Sequence, residues 1–180
     1  MIIKMNSREL DSLPKDGLSY VCFEPLIQAY KARVSEQSTG DGSTVKEQFY
    51  KELTNGQQAL FSFHIYYNHA SKSLTEFYWW NAYFMAQPTT WSAIKSGLNY
   101  FGGGTMLHIL GDVEVTLKES NHPVSLDGFN VTREDMMRDQ NLLDSIKLLH
   151  AAFVEASPAT LQLINAGIHN NLNEFITIEV

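Results

Sequence analysis

Six histidines, one cysteine, a dense run of aromatic rings and a late cluster of carboxylates are the side chains in this 180-residue sequence that could do chemistry. A metal site is the first candidate to test against spacing. Two ligands share a helix face when they stand three or four residues apart, yet the closest histidines, His64 and His69, stand five apart and match no ligand motif. No metal and no cofactor are therefore expected, and His64, His69, His108, His150 and His169 read as capping, hydrogen-bonding or surface groups. Cys22 sits among Tyr20, Val21 and Phe23 with no basic neighbour, the setting of an inert buried thiol. The run Gly102-Gly103-Gly104-Thr105 lacks the glycine spacing and the lysine of a phosphate-binding loop and reads as a turn between helices. With no GxSxG elbow either, the sequence names no reaction, and the reading leans away from an enzyme.

The aromatic run is the more unusual feature. Phe61, Phe63, Tyr66 and Tyr67 fall in one segment, and Phe77, Tyr78, Trp79, Trp80, Tyr83 and Phe84 in the next. At about 100° per residue the second set nearly encircles a helix, so that helix is central to a core, lies at a dimer seam, or walls a pocket. For a pocket or seam, the polar and aromatic candidates are Tyr67, His69, Glu76, Trp79, Trp80 and Tyr83. The second candidate surface is acidic: Glu134, Asp135, Asp139 and Asp144, with Arg133, Arg138 and Lys147 nearby, read as a strip on a helix after Thr132, either a solvated face or a docking surface.

Helix starts are the clearest signals for the elements that position these groups. Thr44 with Glu47, Thr54 with Gln57 and Ser73 with Glu76 have capping-box spacing, so helices are expected to begin near 45, 55 and 74. Thr132 followed by acidic residues, and Ser157 before Pro158, predict two further starts. Tyr20 to Val34 reads as a first helix whose regular part begins near Pro25, Trp91 to Phe101 as a helix closed by Gly102, and Thr105 to Lys118 as a helix whose β-branched residues would also tolerate a strand. Residues 35–43 and 121–130 are read as loops, 1–16 as an irregular segment, and 175–180 as a short extended tail. The fold class expected is all-α, a single-domain bundle of about seven to eight helices over 1–180.

Charge narrows the partners. Residues 1–110 carry nine basic and nine acidic side chains and residues 111–180 carry four and eleven, so the whole excess of −7 lies in the C-terminal part. Without clustered Lys and Arg, direct nucleic-acid binding is not expected, and a basic protein is the easier electrostatic match. No stretch reaches the roughly 18 apolar residues of a spanning helix, so no membrane association is expected. The start has no signal-peptide run and the single cysteine allows no internal disulfide, which points to a reducing cytoplasm.

Three ordered stretches resemble a bacterial family of helical proteins of mostly unknown function, one type of which is described as a DNA mimic. Leu53 to Phe61, LTNGQQALF, is similar to that family's opening "LTxxQRAL" segment. Asn68 to Asn81, NHASKSLTEFYWWN, is similar to its "EVNNGGFxQYFxN" signature, with Leu74, Glu76, Phe77 and Tyr78 at the Phe, Gln and aromatic-pair positions. Leu149 to Phe175 resembles its closing helices. Asn68 stands where the family has Glu, and Lys72-Ser73 replace its Gly-Gly. The resemblance implies an all-helical fold, dimerisation and, for the mimic type, an acidic surface that occupies a protein's DNA-binding site. The function expected is thus protein binding through the acidic C-terminal surface, DNA-mimic-like or toxin-neutralising. The alternatives are a small-molecule binder or enzyme with a pocket between the aromatic helices, and a structural oligomerisation module such as a homodimer.

Overall fold

A computed structural model describes residues 3–13, 17–36 and 42–179. Among them are eight α-helices and one two-stranded sheet, so the protein is all-α, as the sequence predicts. The elements run β1 (Ile3–Asn6), α1 (Ser7–Ser12), α2 (Leu18–Glu36), α3 (Gly42–Lys51), α4 (Asn55–Ala70), α5 (Leu74–Met85), α6 (Pro88–Tyr100), α7 (Gly104–Glu119), α8 (Gln140–Asn170) and β2 (Ile176–Glu179), with 3-10 turns at Asp135–Arg138 and Leu172–Glu174. Two compact units divide the chain, one formed by Met1–Phe61 with Leu161–Val180 and the other by Ser62–Thr160. No described helix is long and apolar enough to cross a membrane.

In the first unit the segment expected to be irregular contains β1 and α1. Asn6 closes the strand and caps the helix, its side chain accepting from the Glu9 N–H while Glu9 accepts from the Asn6 N–H, each at 2.9 Å. β1 pairs in parallel with β2, Ile3 opposite Ile176, so the extended tail finds a partner that the sequence reading did not supply. The predicted box of Thr54 and Gln57 forms reciprocally at 3.2 Å and starts α4. There Glu174 adds a carboxylate to the helix N-terminus, accepting from the Gly56 N–H at 2.6 Å. Only glycine fits at 56, because a Cβ would stand 2.5 Å from the Phe175 ring. α3 starts at Gly42, before Thr44, whose cap contact lies outside the described side chains, as do residues 37–41 of the expected loop. The core gathers Phe23, Tyr30, Phe49 and Phe61, with ring centroids 5.3 to 6.1 Å apart. Cys22 is buried among apolar groups, which push its thiol up to about 12, as an inert thiol requires.

α2 begins at Leu18, seven residues before Pro25, which corrects the expectation that regular helix starts near the proline. Leu18, Cys22 and Leu26 are buried in phase across Pro25, and that packing outweighs the lost hydrogen bond. Asn165 replaces a local cap, its side-chain oxygen accepting from the buried Ser19 N–H at 2.8 Å.

In the second unit, α6 and α7 both close with a Schellman motif. At α6 the Gly103 N–H reaches Leu98 O at 2.8 Å and the Gly102 N–H reaches Asn99 O at 3.1 Å, with Gly102 at φ 73°, so the predicted glycine stop is correct. At α7 Asn121 takes the left-handed position at φ 57°, and His122 and Asn121 donate to Leu117 O and Lys118 O. The stretch 105–118 is helix as expected despite its β-branched residues, anchored by buried Met106, Leu110, Val113 and Leu117. Glu114 joins α7 to α6, accepting from Trp91 Nε1 at 2.8 Å and pairing with Lys95 at 2.7 Å and Lys118 at 2.6 Å.

The start predicted at Ser157-Pro158 does not exist. α8 runs unbroken through Pro158, and the Ser157 hydroxyl donates back to Phe153 O at 2.7 Å instead of capping forward. Its true cap is Asp139, which accepts from the N–H groups of Asn141 at 2.9 Å and Leu142 at 3.2 Å. The start predicted at Thr132 forms only a 3-10 turn, in which Asp135 accepts from the Thr132 N–H at 2.8 Å.

Candidate functional site: an aromatic helix under a strap

α5 starts where Ser73 predicts, with the Ser73 hydroxyl accepting from the Glu76 N–H at 3.1 Å. Glu76 does not complete the box, because its carboxylate is engaged elsewhere. One face of α5 is core: Phe77, Tyr78, Asn81, Ala82, Phe84 and Met85 are buried. The buried Asn81 amide is satisfied on both sides, donating to Phe77 O at 2.7 Å and accepting from Tyr66 Oη at 3.2 Å. Tyr67 is half-buried and packs on core rings, stacked on Phe63 at 5.5 Å and lying 6.0 Å from Phe153.

The opposite face carries Trp79, Trp80 and Tyr83, all half-buried. From the strap of residues 121–139, Phe129, Val131 and Arg133 lie against it. Trp79 Nε1 donates to Val131 O at 3.0 Å, and Phe129 packs edge-on to Trp79 and Tyr83 at 6.2 and 5.6 Å. Arg133 sets its guanidinium 4.4 Å from the Trp79 ring centroid and donates from Nε and Nη2 to the two oxygens of Glu76, at 2.5 and 3.0 Å. Trp80 Nε1 also donates to Glu76, at 2.8 Å. Tyr83 stacks on Trp79 with centroids 5.0 Å apart and planes 9° apart, while Trp79 and Trp80 stand at 88°. His122 closes the near end of the strap, its Nε2 2.7 Å from Tyr78 Oη.

Of the six aromatic-site candidates, five thus come together: His69, Glu76, Trp79, Trp80 and Tyr83. His69 stacks on Trp80 with centroids 3.7 Å apart. Burial first, then the positive field of Lys72, lowers its pKa below the ordinary value, so the ring is neutral near pH 7. The Arg133 fork holds the Glu76 carboxyl below the usual carboxylate range. Arg133, Phe129 and His122 were not singled out from the sequence as members of this site. The only signal for the strap in the sequence is the short alternation Phe129-Asn130-Val131-Thr132, and the structure follows it, with residues 129, 131 and 133 half-buried and 130, 132 and 134 exposed.

The four acidic candidates do not share one helix face. Glu134 lies in the turn before the 3-10 segment, Asp135 within it, Asp139 at the α8 cap and Asp144 in the first turns of α8. Asp135 pairs with Arg138 at 2.8 Å, and Asp144 accepts from Gln140 at 2.9 Å and from Lys147 at 3.3 Å. Beyond them the outer face of α8 is partly apolar. Leu148 is 74% exposed and Val154 52%, and Ala151, Glu155 and Pro158 are exposed with them. At about 100° per residue, positions 144, 147, 148, 151, 154, 155 and 158 fall within one arc of roughly 120°.

These features define an all-α protein with a strapped aromatic helix and an α8 face on which Leu148 and Val154 are exposed. The chain matches no family model, no curated protein and no solved structure.

Proposed function

We propose that this is a non-enzymatic binding protein that docks another protein on the outer face of α8, with an apolar centre at Leu148, Ala151 and Val154, the carboxylates Asp144 and Glu155 on the same face, and Glu134, Asp135 and Asp139 in the turn and cap that precede the helix. The observation that carries the reading is Leu148, a leucine left 74% exposed within an arc that also exposes Val154. Leaving such groups in water forgoes about 1.5 to 3 kcal/mol per side chain, which a partner that buries them recovers. These five carboxylates outnumber Arg138 and Lys147, so the complementary partner is a basic protein with an apolar patch. The resemblance to the DNA-mimic-like family favours the same partner class. Imitation of a duplex draws less support, because Asp135, Asp139 and Asp144 are spent on local bonds rather than set out as a regular array. The rival small-molecule reading is weakened by Tyr67 stacking on Phe63 apart from the other candidates and by Glu76 and both indole N–H groups of α5 already having partners.

The test compares immobilised wild type with a Leu148→Arg/Val154→Arg variant in capture from cell extract at low ionic strength. Both positions are exposed, so the melting temperature should hold to within about 0.5 kcal/mol of stability. The expected result is a basic protein retained by the wild type, released by salt, and absent from the variant. Equal retention by the two proteins, or no salt-sensitive retention by the wild type, rejects the reading.

A further inference from the structure

The contact between Arg133 and α5 has the form of a ligand in a receptor site. Its host side is built on one regular helix: the ring of the half-buried Trp79, which also stacks on Tyr83, and the fork of Glu76. Trp80 Nε1, one turn along α5, holds a Glu76 oxygen at 2.8 Å, so the carboxylate is oriented by the helix itself and not only by the arginine. The guest side comes from an irregular segment, and the Arg133 side chain is 40% exposed. A planar cation is recognised twice over, by a ring face and by two parallel N–H to oxygen bonds. An ammonium reproduces the charge without the fork.

We propose that Glu76, Trp79 and Trp80 form a guanidinium-binding site, filled in this structure by Arg133 of the same chain, which accepts an arginine side chain of a partner peptide when the strap lifts. Lifting breaks the Trp79 to Val131 hydrogen bond, the Phe129 ring contacts and the Tyr78 to His122 bond, and it disturbs the buried Met136 that follows Arg133. Arg133 is then a competitor at high local concentration, so occupancy by an outside arginine is reduced by the fraction of time the strap is closed. The site lies on α5, and its test does not depend on docking at α8.

Removing the competitor exposes the site. Arg133→Gln, and in parallel Arg133→Ala, are titrated with N-acetyl-arginine amide while tryptophan fluorescence is followed, with N-acetyl-lysine amide as the control. The expected result for a folded variant is a saturable response with a dissociation constant on the order of millimolar, as befits one side chain. Lysine amide should bind about 10-fold more weakly, wild type should respond about 10-fold more weakly than either variant, and adding Glu76→Gln should abolish the response. Circular dichroism establishes which variants are folded. The proposal is overturned if a folded Arg133 variant gives no saturable response to the arginine amide, if lysine amide binds equally well, or if Glu76→Gln leaves binding intact. If neither Arg133 variant folds, the readout moves to wild type with Phe129→Ala, which loosens the strap. That variant should raise arginine-amide affinity above wild type, and an unchanged affinity also overturns the proposal.

Discussion

His64 offers the sharpest quantitative test of how the second unit is held together. Its ring has no exposed surface, stands edge-on to Phe63, and burial pushes its pKa down from the ordinary 6.5 to about 4. The unfolded chain therefore binds a proton between those values that the folded chain refuses. Stability from this residue is fully present above about pH 6.5 and is lost as the pH falls towards 4. Integrating the two titrations gives a loss of about 2 kcal/mol between neutral pH and about pH 5, which for a chain of this size lowers the melting temperature by roughly 4 to 8 °C. His69, His122 and His150 are shifted the same way by burial and add to the slope. Carboxylates held low in the folded state, such as Glu114 at about 2, lose their contribution only below the ordinary carboxylate range and leave this window almost untouched. The assay is thermal melting by circular dichroism across about pH 5 to 7.5 for wild type and His64→Leu. Comparing slopes cancels any fixed cost of replacing the ring. The substitution should remove about 2 kcal/mol of pH dependence, and parallel curves for the two proteins would refute the assignment of that dependence to His64.

Two substitutions test the helix ends and interiors. Pro158→Ala restores the N–H that Val154 O lacks inside α8 and should stabilise by about 1 to 3 kcal/mol, read as a higher melting temperature; an unchanged or lower one refutes it. Gly56→Ala puts a Cβ against the Phe175 ring and should cost about 1 to 3 kcal/mol in urea unfolding, with the midpoint moving at constant slope.

Local chemistry explains which parts of this fold could be read from the sequence. Thr54 with Gln57, Ser73, and Gly102 act within a few residues of themselves, and each caps or stops the helix that its type and spacing predict. Ser157-Pro158 carries the same local signature as a helix start, yet Phe153, Thr160, Ile164 and Ile168 are buried at helical spacing through it, and packing decides. The density of rings on α5 located the site. Its partner Arg133 lies 57 residues away in a segment with no helical period, and no local rule pairs the two. The acidic residues were legible as charges but not as caps, because Asp139 could be recognised as the α8 cap only once the helix was known to begin at Gln140.

The parallel pairing of β1 with β2 has a kinetic meaning. Ile3 and Ile176 pair although they stand 173 positions apart in sequence, so their contact closes a long loop. Closing that loop gives back only a four-residue ladder, whereas each helix gains bonds between neighbours from the outset. The strands therefore come together late in folding and separate early in unfolding. Their amides should exchange with solvent faster than those of α4 or α5 while the helices remain intact.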